Sequence, residues 1–384
     1  MMLMDITMPS LGADMTEGTL VEWLAKPGDT LNKGDIIAVI ETQKGAIDME
    51  VYYAGVVTEL LVQPVVHLPV GTVMARMQVE GDAAAAAEIT ASEGAQVQQA
   101  PVVEAPQLEP VIASPRQGVL ASPVVRRLAA EQGLNLSNLH GSGPQGAILL
   151  RDLASTAKAK TKTPAESMRA AIAAAMQKSK QEIPHYYLSL EVDIANAQAY
   201  LQQLNAGREP EQRILLLAVL LKATAKALAK YPQLNGYYQQ QQFVPAEAIN
   251  IANAISLREG GLMLPIIHHV EQQTVDELMQ ALRGISSRSR IGHLRSSELT
   301  GASITVTSIG ERGSDAVFGV IYPPQVAIIG FGRPRQAVVV KDGAPAVSEL
   351  MTITLSADHR VSDGAIGTKF LNSLSNQLQK PEKL

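Results

Sequence analysis

The feature that most constrains the fold is an internal repeat near the N-terminus. The segment "GTLVEWLAKPGDTLNKGDIIAVI", which begins at Gly18, aligns without gaps with "GVVTELLVQPVVHLPVGTVMARM", which begins at Gly55. Both copies consist of short apolar runs interrupted by Gly and Pro, a pattern typical of short strands joined by tight turns. A half-domain written twice predicts a small β-sandwich with approximate two-fold symmetry over residues 1–80.

The segment between the two copies, "ETQKGAIDME", predicts a β-hairpin with Lys44 at its turn. A lysine at a turn is most often only a solvated side chain. The repeat, however, resembles the lipoyl and biotinyl carrier domains, whose hairpin lysine is acylated by a cofactor. The stretches "LGADMTEGTLVEWLAKPGDTLNKGD" and "VGTVMARM" resemble the lipoyl branch of that family. The resemblance implies a barrel-sandwich hybrid fold with covalent lipoate on Lys44.

Composition excludes several classes of chemistry and of partner. The chain has 384 residues and no cysteine, so thiol chemistry must use thiols of a cofactor or substrate, and no thiolate metal site is possible. We expect no metal centre. The net charge of −5 argues against nucleic acid as the main partner. No apolar run is long enough to cross a membrane, so we expect a cytoplasmic protein.

Two biased segments divide the chain into folded regions. Residues 81–116 are rich in Ala, Gln, Glu and Pro, and residues 154–163 in Ala, Lys and Thr. Such composition without apolar periodicity is typical of flexible linkers. We therefore expect three domains, comprising residues 1–80, 117–153 and 164–384.

The middle region, "ASPVVRRLAAEQGLNLSNLHGSGPQGAILLRDL", predicts two short helices joined by a glycine-rich loop. It resembles the peripheral-subunit-binding domain of 2-oxo acid dehydrogenase complexes, in which arginines bind carboxylates of partner enzymes. The resemblance implies that Arg126 and Arg127 bind the dihydrolipoamide dehydrogenase or the thiamine-dependent 2-oxo acid decarboxylase component. A helical spacer without a partner is the alternative.

The large C-terminal region predicts a mixed α/β domain, because apolar helical patterns alternate with at least five strand-like runs. Its most informative stretch is "LSADHRVSDGAIG", where His359 and Asp363 lie between a predicted strand and a predicted helix. An imidazole at a strand end is suited to accept a proton from a thiol near neutral pH. By spacing alone, such a pair more often contains an ordinary surface or core histidine than a catalytic one.

The same stretch resembles the Asp-His-Arg-x-x-Asp-Gly signature of dihydrolipoamide acyltransferases, whose catalytic domain is of the chloramphenicol-acetyltransferase type. "IPHYYLSLEVDI", "GLMLPII", "ITVTSIG" and "PPQVAIIG" extend the resemblance over the whole region. It implies that His359 is the base for the thiol of coenzyme A. It also implies that Thr307, or Ser308 if the register differs, donates a hydrogen bond to the oxyanion. Asp363 would pair with an arginine and hold the loop.

The predicted function is transfer of an acyl group from lipoyl-lysine to coenzyme A within a 2-oxo acid dehydrogenase complex. Acetyl, from pyruvate or acetoin, is the preferred acyl group, and branched-chain acyl groups remain open. The resemblance also implies a trimer-built homo-oligomeric core of 24 or 60 chains. One alternative is a non-catalytic scaffold that binds dihydrolipoamide dehydrogenase, although such scaffolds tend to lack the histidine. Another is a stand-alone coenzyme A acetyltransferase, which needs no carrier domain.

Overall fold

The structure of the chain is a computed structural model. It describes residues 2–10, 15, 17–42, 45–79, 121, 124–127, 143, 147–148, 164–256, 262–291, 293–310 and 313–384. Lys44, both predicted linkers and most of residues 117–153 lie outside the described residues. The chain divides into two compact units, Met1–Ser92 together with Pro164–Leu384, and Glu93–Thr163. The exact domain boundaries stay predictions.

The N-terminal region is a sandwich of two four-stranded sheets. Its strands are β1 (Met2–Thr7), β2 (Glu17–Trp23), β3 (Thr30–Leu31), β4 (Ile36–Thr42), β5 (Gly45–Glu50), β6 (Gly55–Leu60), β7 (Val66–Pro69) and β8 (Val73–Val79). One sheet has the order β1-β8-β6-β3 and the other β5-β4-β2-β7. Both sheets bury apolar side chains in one core, which includes Met8, Leu20, Ile37, Ile40 and Met74.

The sequence repeat is also a repeat of local geometry. Strand β2 changes its register against β4 between Leu20 and Glu22. Strand β6 changes its register against β8 between Val57 and Glu59, the aligned positions of the second copy. The two halves therefore share their β-bulges as well as their strands. The predicted two-fold β-sandwich is confirmed.

The predicted hairpin between the copies is present. Strands β4 and β5 are antiparallel, with Thr42 opposite Gly45 and Ile40 opposite Ile47. Both isoleucines are buried, so the inward face of the hairpin fixes its register. Lys44 belongs to the two-residue connection outside the described residues.

The C-terminal region contains eleven further strands and five α-helices among the described residues. The strands are β9 (His185–Asp193), β10 (Gly236–Gln239), β11 (Gln242–Pro245), β12 (Ile251–Ser256), β13 (Leu262–Met263), β14 (Ile266–Ile267), β15 (Leu294–Arg295), β16 (Ile304–Ser308), β17 (Ala327–Phe331), β18 (Arg335–Lys341) and β19 (Ala344–Asp358). The helices are α1 (Pro164–Glu182), α2 (Ala195–Asn205), α3 (Leu216–Leu228), α4 (Val275–Ile291) and α5 (Gly364–Gln379).

Eight of these strands form one large mixed sheet, and β10 and β11 pair with each other in a separate two-stranded sheet. The main order of the large sheet is β13-β12-β16-β17-β19-β18, with β9 also paired to β19 and β14 to β12. Strands β12, β16 and β17 are parallel, whereas β19 is antiparallel to β17, β18 and β9. The short strand β15 instead pairs with β5 and extends the second carrier sheet. The predicted α/β architecture is confirmed.

Helix α3 is buried on most sides and contacts α2, α4 and α5. Its apolar side chains join those of β17 and β19 in the main core. Lys222 is the buried cation of this helix, and its ammonium group donates hydrogen bonds to the carbonyls of Val270, Glu271 and Gln273. Burial lowers the pKa of Lys222. The three carbonyls supply the hydrogen bonds that a buried ammonium group requires.

Of the unit Glu93–Thr163, only a few residues are described. Residues 124–127 are helical, and Ala121 forms a parallel bridge with Ile148. Val125 and Ile148 are buried. In the described part of the chain, no helix is both long enough and apolar enough to span a bilayer.

Candidate active site

His359 lies in the short loop between β19 and α5. Strand β19 pairs with β9 up to Asp358, which lies opposite His185. The backbone N–H of His359 then donates a 3.0 Å hydrogen bond to the carbonyl of Pro184. The His359 side chain is exposed. The loop therefore presents an accessible imidazole at the end of the long central strand, as predicted for a base.

An ion pair between a buried carboxylate and a partly exposed guanidinium holds the loop. The Asp358 side chain is fully buried, and its carboxylate accepts hydrogen bonds from the Arg360 guanidinium, with Nη2 to Oδ2 at 2.6 Å. It also accepts from the Arg360 backbone N–H at 2.9 Å. These hydrogen bonds raise the pKa of Arg360 above its ordinary value. The other side of the guanidinium covers the ring of Tyr238, 3.8 Å from the ring centroid.

Tyr186 positions the loop from the side of β9. Its hydroxyl lies 2.8 Å from the hydroxyl of Ser362, and its ring meets the His359 ring edge-on at 5.1 Å between centroids. Burial raises the pKa of Tyr186, so the phenol is neutral and can donate a hydrogen bond. One side of the imidazole therefore has a fixed aromatic neighbour.

Asp363 is the N-cap of α5. Its carboxylate accepts a 2.9 Å hydrogen bond from the backbone N–H of Ile366, which satisfies one free donor of the first helical turn. No ion pair between Asp363 and an arginine is present within the described ranges. The arginine that holds this loop is Arg360, and its partner is Asp358. The expected pairing is thus not found in the single chain, although Asp363 does anchor the loop.

A cavity of about 430 Å³ lies beside the loop. Arg360 and Tyr238 form part of its wall, together with Glu182, Gln325 and the Pro323–Pro324 pair. Its volume falls within the range of small-molecule pockets. The wall combines the apolar surface of the prolines with one cation, Arg360, one carboxylate, Glu182, and the amides of glutamine side chains.

Thr307 and Ser308 lie at the C-terminal end of β16, and both are partly exposed. Thr307 is opposite Gly330 of β17, and Gly330 is opposite Thr354 of β19. His359 follows Thr354 by five residues, which corresponds to about 17 Å along an extended strand. The single chain therefore does not bring His359 and Thr307 together. They occupy opposite ends of the sheet.

A second histidine near the loop, His185, is locked in one tautomer. Its Nδ1 lies 2.8 Å from the carbonyl of Ile183, while its Nε2 accepts a 3.1 Å hydrogen bond from the backbone N–H of Ile321. Nδ1 must therefore carry the proton, and the ring is neutral. Burial lowers the pKa of His185, in agreement with that state. With both nitrogens engaged, His185 is not available as a base, and the predicted base stays His359.

The remaining predicted residues are placed as follows. Arg126 and Arg127 are exposed on the short helical segment 124–127, and Nε of Arg126 donates to the carbonyl of Ala121 at 3.3 Å. Lys44 lies outside the described residues. Within the described residues, no group of three or more His, Asp or Glu side chains is arranged to hold a metal ion.

Sequence reasoning assigned no function to Asp358, Arg360, Tyr186 or Tyr238. The first two belong to the quoted signature itself, so the motif contained the signal for the ion pair. The two tyrosines are distant in sequence from His359, and only the pairing of β9 with β19 and the fold of β10 bring them to the loop.

Three sequence families match this chain. The family described as "2-oxoacid dehydrogenases acyltransferase (catalytic domain)" matches residues 157–384. The family described as "Biotin-requiring enzyme" matches residues 4–77, and that described as "e3 binding domain" matches residues 119–154. The three matches follow one another in the order predicted for the three domains.

Curated relatives match over nearly the full length. The dihydrolipoyllysine-residue acetyltransferase component of the pyruvate dehydrogenase complex of Staphylococcus aureus is 30% identical, covering 100% of this chain and 99% of the relative. The lipoamide acyltransferase component of the branched-chain alpha-keto acid dehydrogenase complex of Bacillus subtilis is 29% identical over 99% of this chain and 98% of its own length. Among solved structures, a probable dihydrolipoamide acetyltransferase from Listeria monocytogenes is 30% identical with a TM-score of 0.54, covering 58% of this chain and 96% of that structure.

Proposed function

Because the chain belongs to the acyltransferase family of the 2-oxoacid dehydrogenases, we propose that it transfers an acyl group from lipoate on Lys44 to coenzyme A, with His359 as the base. The observation that carries this proposal is the loop from Asp358 to Asp363. It holds an exposed imidazole at the end of the central strand, and the next residue, Arg360, lines a cavity of about 430 Å³. In this arrangement His359 accepts the proton of the coenzyme A thiol, which makes the sulfur nucleophilic.

The carrier hairpin fits covalent lipoate. Thr42 and Gly45 form the last pair of β4 and β5, so only two residues make the turn, and Lys44 is one of them. When bound, lipoate supplies the thiols that a chain without cysteine lacks. Strands β4 and β5, which lie on either side of this turn, belong to the sandwich. Lys44 as the attachment residue is supported by this geometry and by the match over residues 4–77.

The second half of the site would come from another copy of the chain. A negative charge develops on the carbonyl oxygen during transfer between thiols, and a positioned donor stabilises it. We assign this donor to Thr307 or Ser308. Since Thr307 lies about 17 Å along the strands from His359 of the same chain, the donor must belong to a neighbouring copy. A trimer-built core, in which each interface joins one His359 to one Thr307, meets this requirement.

The middle domain would bind the partner enzymes. The match of residues 119–154 to an e3 binding domain supports dihydrolipoamide dehydrogenase as one partner. Arg126 and Arg127 are exposed there and carry the charge that partner carboxylates would neutralise. The thiamine-dependent component that supplies the acyl group completes the reaction sequence.

Acetyl is the acyl group that we propose, because the Staphylococcus aureus relative is named as an acetyltransferase of a pyruvate dehydrogenase complex. The Bacillus subtilis relative, which is named for a branched-chain complex, has a similar identity and favours branched-chain acyl groups as the second candidate. Acetoin as the acyl source and a cytoplasmic location stay predictions. A comparison of transfer rates with acetyl and isobutyryl thioesters would separate the two candidates.

The test replaces His359 and uses free dihydrolipoamide as the thiol partner of acetyl coenzyme A. His359→Ala should lower the transfer rate by roughly a hundredfold to ten-thousandfold, the usual contribution of a general base. The matched control is His67→Ala, which removes an exposed carrier histidine that lies 3.2 Å from Glu17. An unchanged rate in His359→Ala would exclude the assigned base. The intact mass of the chain, expressed with a lipoylating system, tests Lys44 separately.

A further inference from the structure

The strand that follows Lys44 pairs with the catalytic domain. Strand β5 runs parallel to β15, with Ile47 opposite Leu294 and Asp48 opposite Arg295. Ile47 and Leu294 are each 1% exposed, so the contact buries an apolar pair as well as backbone groups. The catalytic domain thereby adds a fifth strand to the carrier sheet, which is the geometry of β-strand addition.

Glu50, at the end of β5, is the polar centre of this contact. It is 6% exposed, and a buried carboxylate is costly unless it is paired and hydrogen-bonded. Ser297 donates to it from its hydroxyl and from its backbone N–H, the latter at 3.3 Å. The Arg295 guanidinium lies 3.6 Å away, and the Glu50 backbone N–H donates to Ser296 Oγ at 3.1 Å. These partners all belong to the catalytic domain.

The receiving segment, His293–Leu299, is held in shape by its own domain. Arg288 of α4 donates through Nε to both carboxylate oxygens of Glu298, at 3.1 and 3.0 Å. Glu298 in turn accepts from the Arg295 backbone N–H at 3.0 Å. None of these bonds involves the carrier. A segment fixed in advance loses little conformational freedom when a strand binds to it.

Charge complements shape at the rim of the contact. Asp48 lies 3.5 Å from Nδ1 of His293, on the side of β5 that remains partly exposed. The carrier strand thus contributes two carboxylates, Asp48 and Glu50, and the segment contributes His293 and Arg295. The charge of Arg295 beside Glu50 favours the matching partner over others more than it adds affinity.

The segment lies at the same end of the catalytic sheet as His359. It leads into the start of β16, and the Gly301 carbonyl just before β16 accepts a hydrogen bond from the Tyr237 hydroxyl at 3.4 Å. The Arg360 guanidinium lies over the ring of the next residue, Tyr238. The backbone N–H of Asp358 donates a hydrogen bond to the carbonyl of Val326, the residue immediately before β17. A carrier held by the segment is therefore retained near the loop of the base.

We propose that residues His293–Leu299 form a docking site for strand β5 of this protein's own carrier domain. The site recognises Glu50 chiefly through Ser296 and Ser297, whose bonds do not involve Asp48, and keeps the carrier on the catalytic domain between its visits to partner enzymes. This inference rests on the proposed function, because a docked hairpin matters only if it carries a group to be transferred. It adds a recognition surface that the acyl-transfer chemistry does not itself require.

The absence of cysteine permits a direct test in the full-length chain. Asp48→Cys combined with Arg295→Cys places two thiols on opposed residues of a parallel pair, with Cα atoms about 4.8 Å apart. That separation is compatible with an unstrained disulfide. Under mild oxidation we expect the disulfide to form at least about tenfold faster than in the control pair, Asp5→Cys with Arg295→Cys.

The control residue Asp5 lies on β1 in the other sheet of the same carrier, and it is also exposed. A carrier that only diffuses on its linker meets Arg295 with either residue at similar frequency. Equal rates of disulfide formation for the two pairs would overturn the docking site. Peptide mapping assigns each disulfide to its two positions.

A second pair of variants tests the recognition of Glu50. In the background of Asp48→Cys and Arg295→Cys, both Glu50→Ala and Ser297→Ala should slow disulfide formation, Glu50→Ala by about tenfold or more. Glu22→Ala, which removes an exposed glutamate of β2, is the matched control and should not slow it. Lipoylation of Lys44 in the Glu50→Ala variant would show that its carrier domain still folds. The Ser297→Ala variant needs no such control, because Ser297 belongs to the catalytic domain. Undiminished crosslinking in both variants would contradict the proposal.

Failure of the docking site can be told from failure of the proposed function. Transfer between acetyl coenzyme A and free dihydrolipoamide by the unmodified chain needs no carrier domain. Activity in that assay without selective crosslinking would reject the docking site alone. Selective crosslinking without that activity would reject the acyltransferase function and leave the contact as a structural one.

Discussion

The two ends of the catalytic sheet differ in how many side-chain bonds of the same chain hold their candidate site residues. At the His359 end, the loop is held by the Asp358–Arg360 ion pair, the Asp363 cap and the hydroxyl of Tyr186. At the other end, Thr307 and Ser308 complete β16, and the only side-chain bond found there for Ser308 among the described residues is a 3.5 Å contact with Gly310. Under the proposed function, one chain would hold the base in place, whereas the oxyanion donor would act only together with another copy.

After that of His359→Ala, the largest expected effect concerns the less constrained end. Thr307→Ala combined with Ser308→Ala removes both candidate donors and should lower the transfer rate by roughly a hundredfold to a thousandfold. Each single variant then shows which hydroxyl acts. Steady-state rates with free dihydrolipoamide measure this, with Thr58→Ala in the carrier as the control. If the double variant is as active as the parent, neither Thr307 nor Ser308 takes part in acyl transfer.

At the constrained end, Arg360→Ala should destabilise the domain by about 3 kcal/mol, because it leaves the fully buried Asp358 carboxylate without its partner. The transfer rate should fall as well, since the loop loses its anchor. Denaturant unfolding of the full chain measures the first effect. Arg335→Ala, which breaks an exposed pair with Glu191, is the control and should cost less than about 1 kcal/mol. If both variants lose the same free energy of unfolding, the loop is not held by this ion pair.

A smaller effect is expected at the helix cap. Asp363→Ala removes the acceptor for the Ile366 N–H and should cost about 1 kcal/mol, whereas Asp363→Asn keeps an acceptor and should cost less. The free energies of unfolding of the two variants provide the comparison. If Asn is as damaging as Ala while activity is also lost, Asp363 has an ionic partner in the assembled core.

The smallest effect is a dependence of stability on pH that arises from His185. Burial lowers the pKa of His185 in the folded state, so the unfolded chain binds a proton more readily below about pH 6.5. This stability contribution is present above pH 6.5 and is lost progressively as the pH falls toward the folded-state pKa. Unfolding measured from pH 5 to 8 should show a shallower acid limb in His185→Gln than in the parent. If the free energy of unfolding depends on pH in the same way in both proteins, unfolding does not change the protonation of His185.

The sequence predicted those elements whose determining residues lie close together along the chain. The repeat predicted the sandwich because each copy contains its own turns and apolar alternation, and the structure adds the aligned bulges at Leu20 and Val57. The stretch around His359 predicted a strand before it and a helix after it for the same reason. In both regions, neighbouring residues in the sequence are also neighbours in the structure.

Contacts between distant segments could not be predicted in this way. The bond between Ser297 and Glu50 joins residues 247 positions apart, and the guanidinium of Arg360 covers a tyrosine from another strand pair. Such contacts depend on how the sheets are placed, which local periodicity does not encode. The separation of Thr307 from His359 likewise follows from the registers of three strands and not from either motif.

The central claim is that acyl transfer combines His359 of one chain with Thr307 or Ser308 of another. The most direct measurement is the activity of mixed assemblies, made by co-expressing His359→Ala chains with chains that carry Thr307→Ala and Ser308→Ala. In a closed ring formed at random, about one interface in four joins an intact base to an intact donor. We predict recovery of about a quarter of the parental activity. A mixture no more active than its two components measured separately would contradict the account.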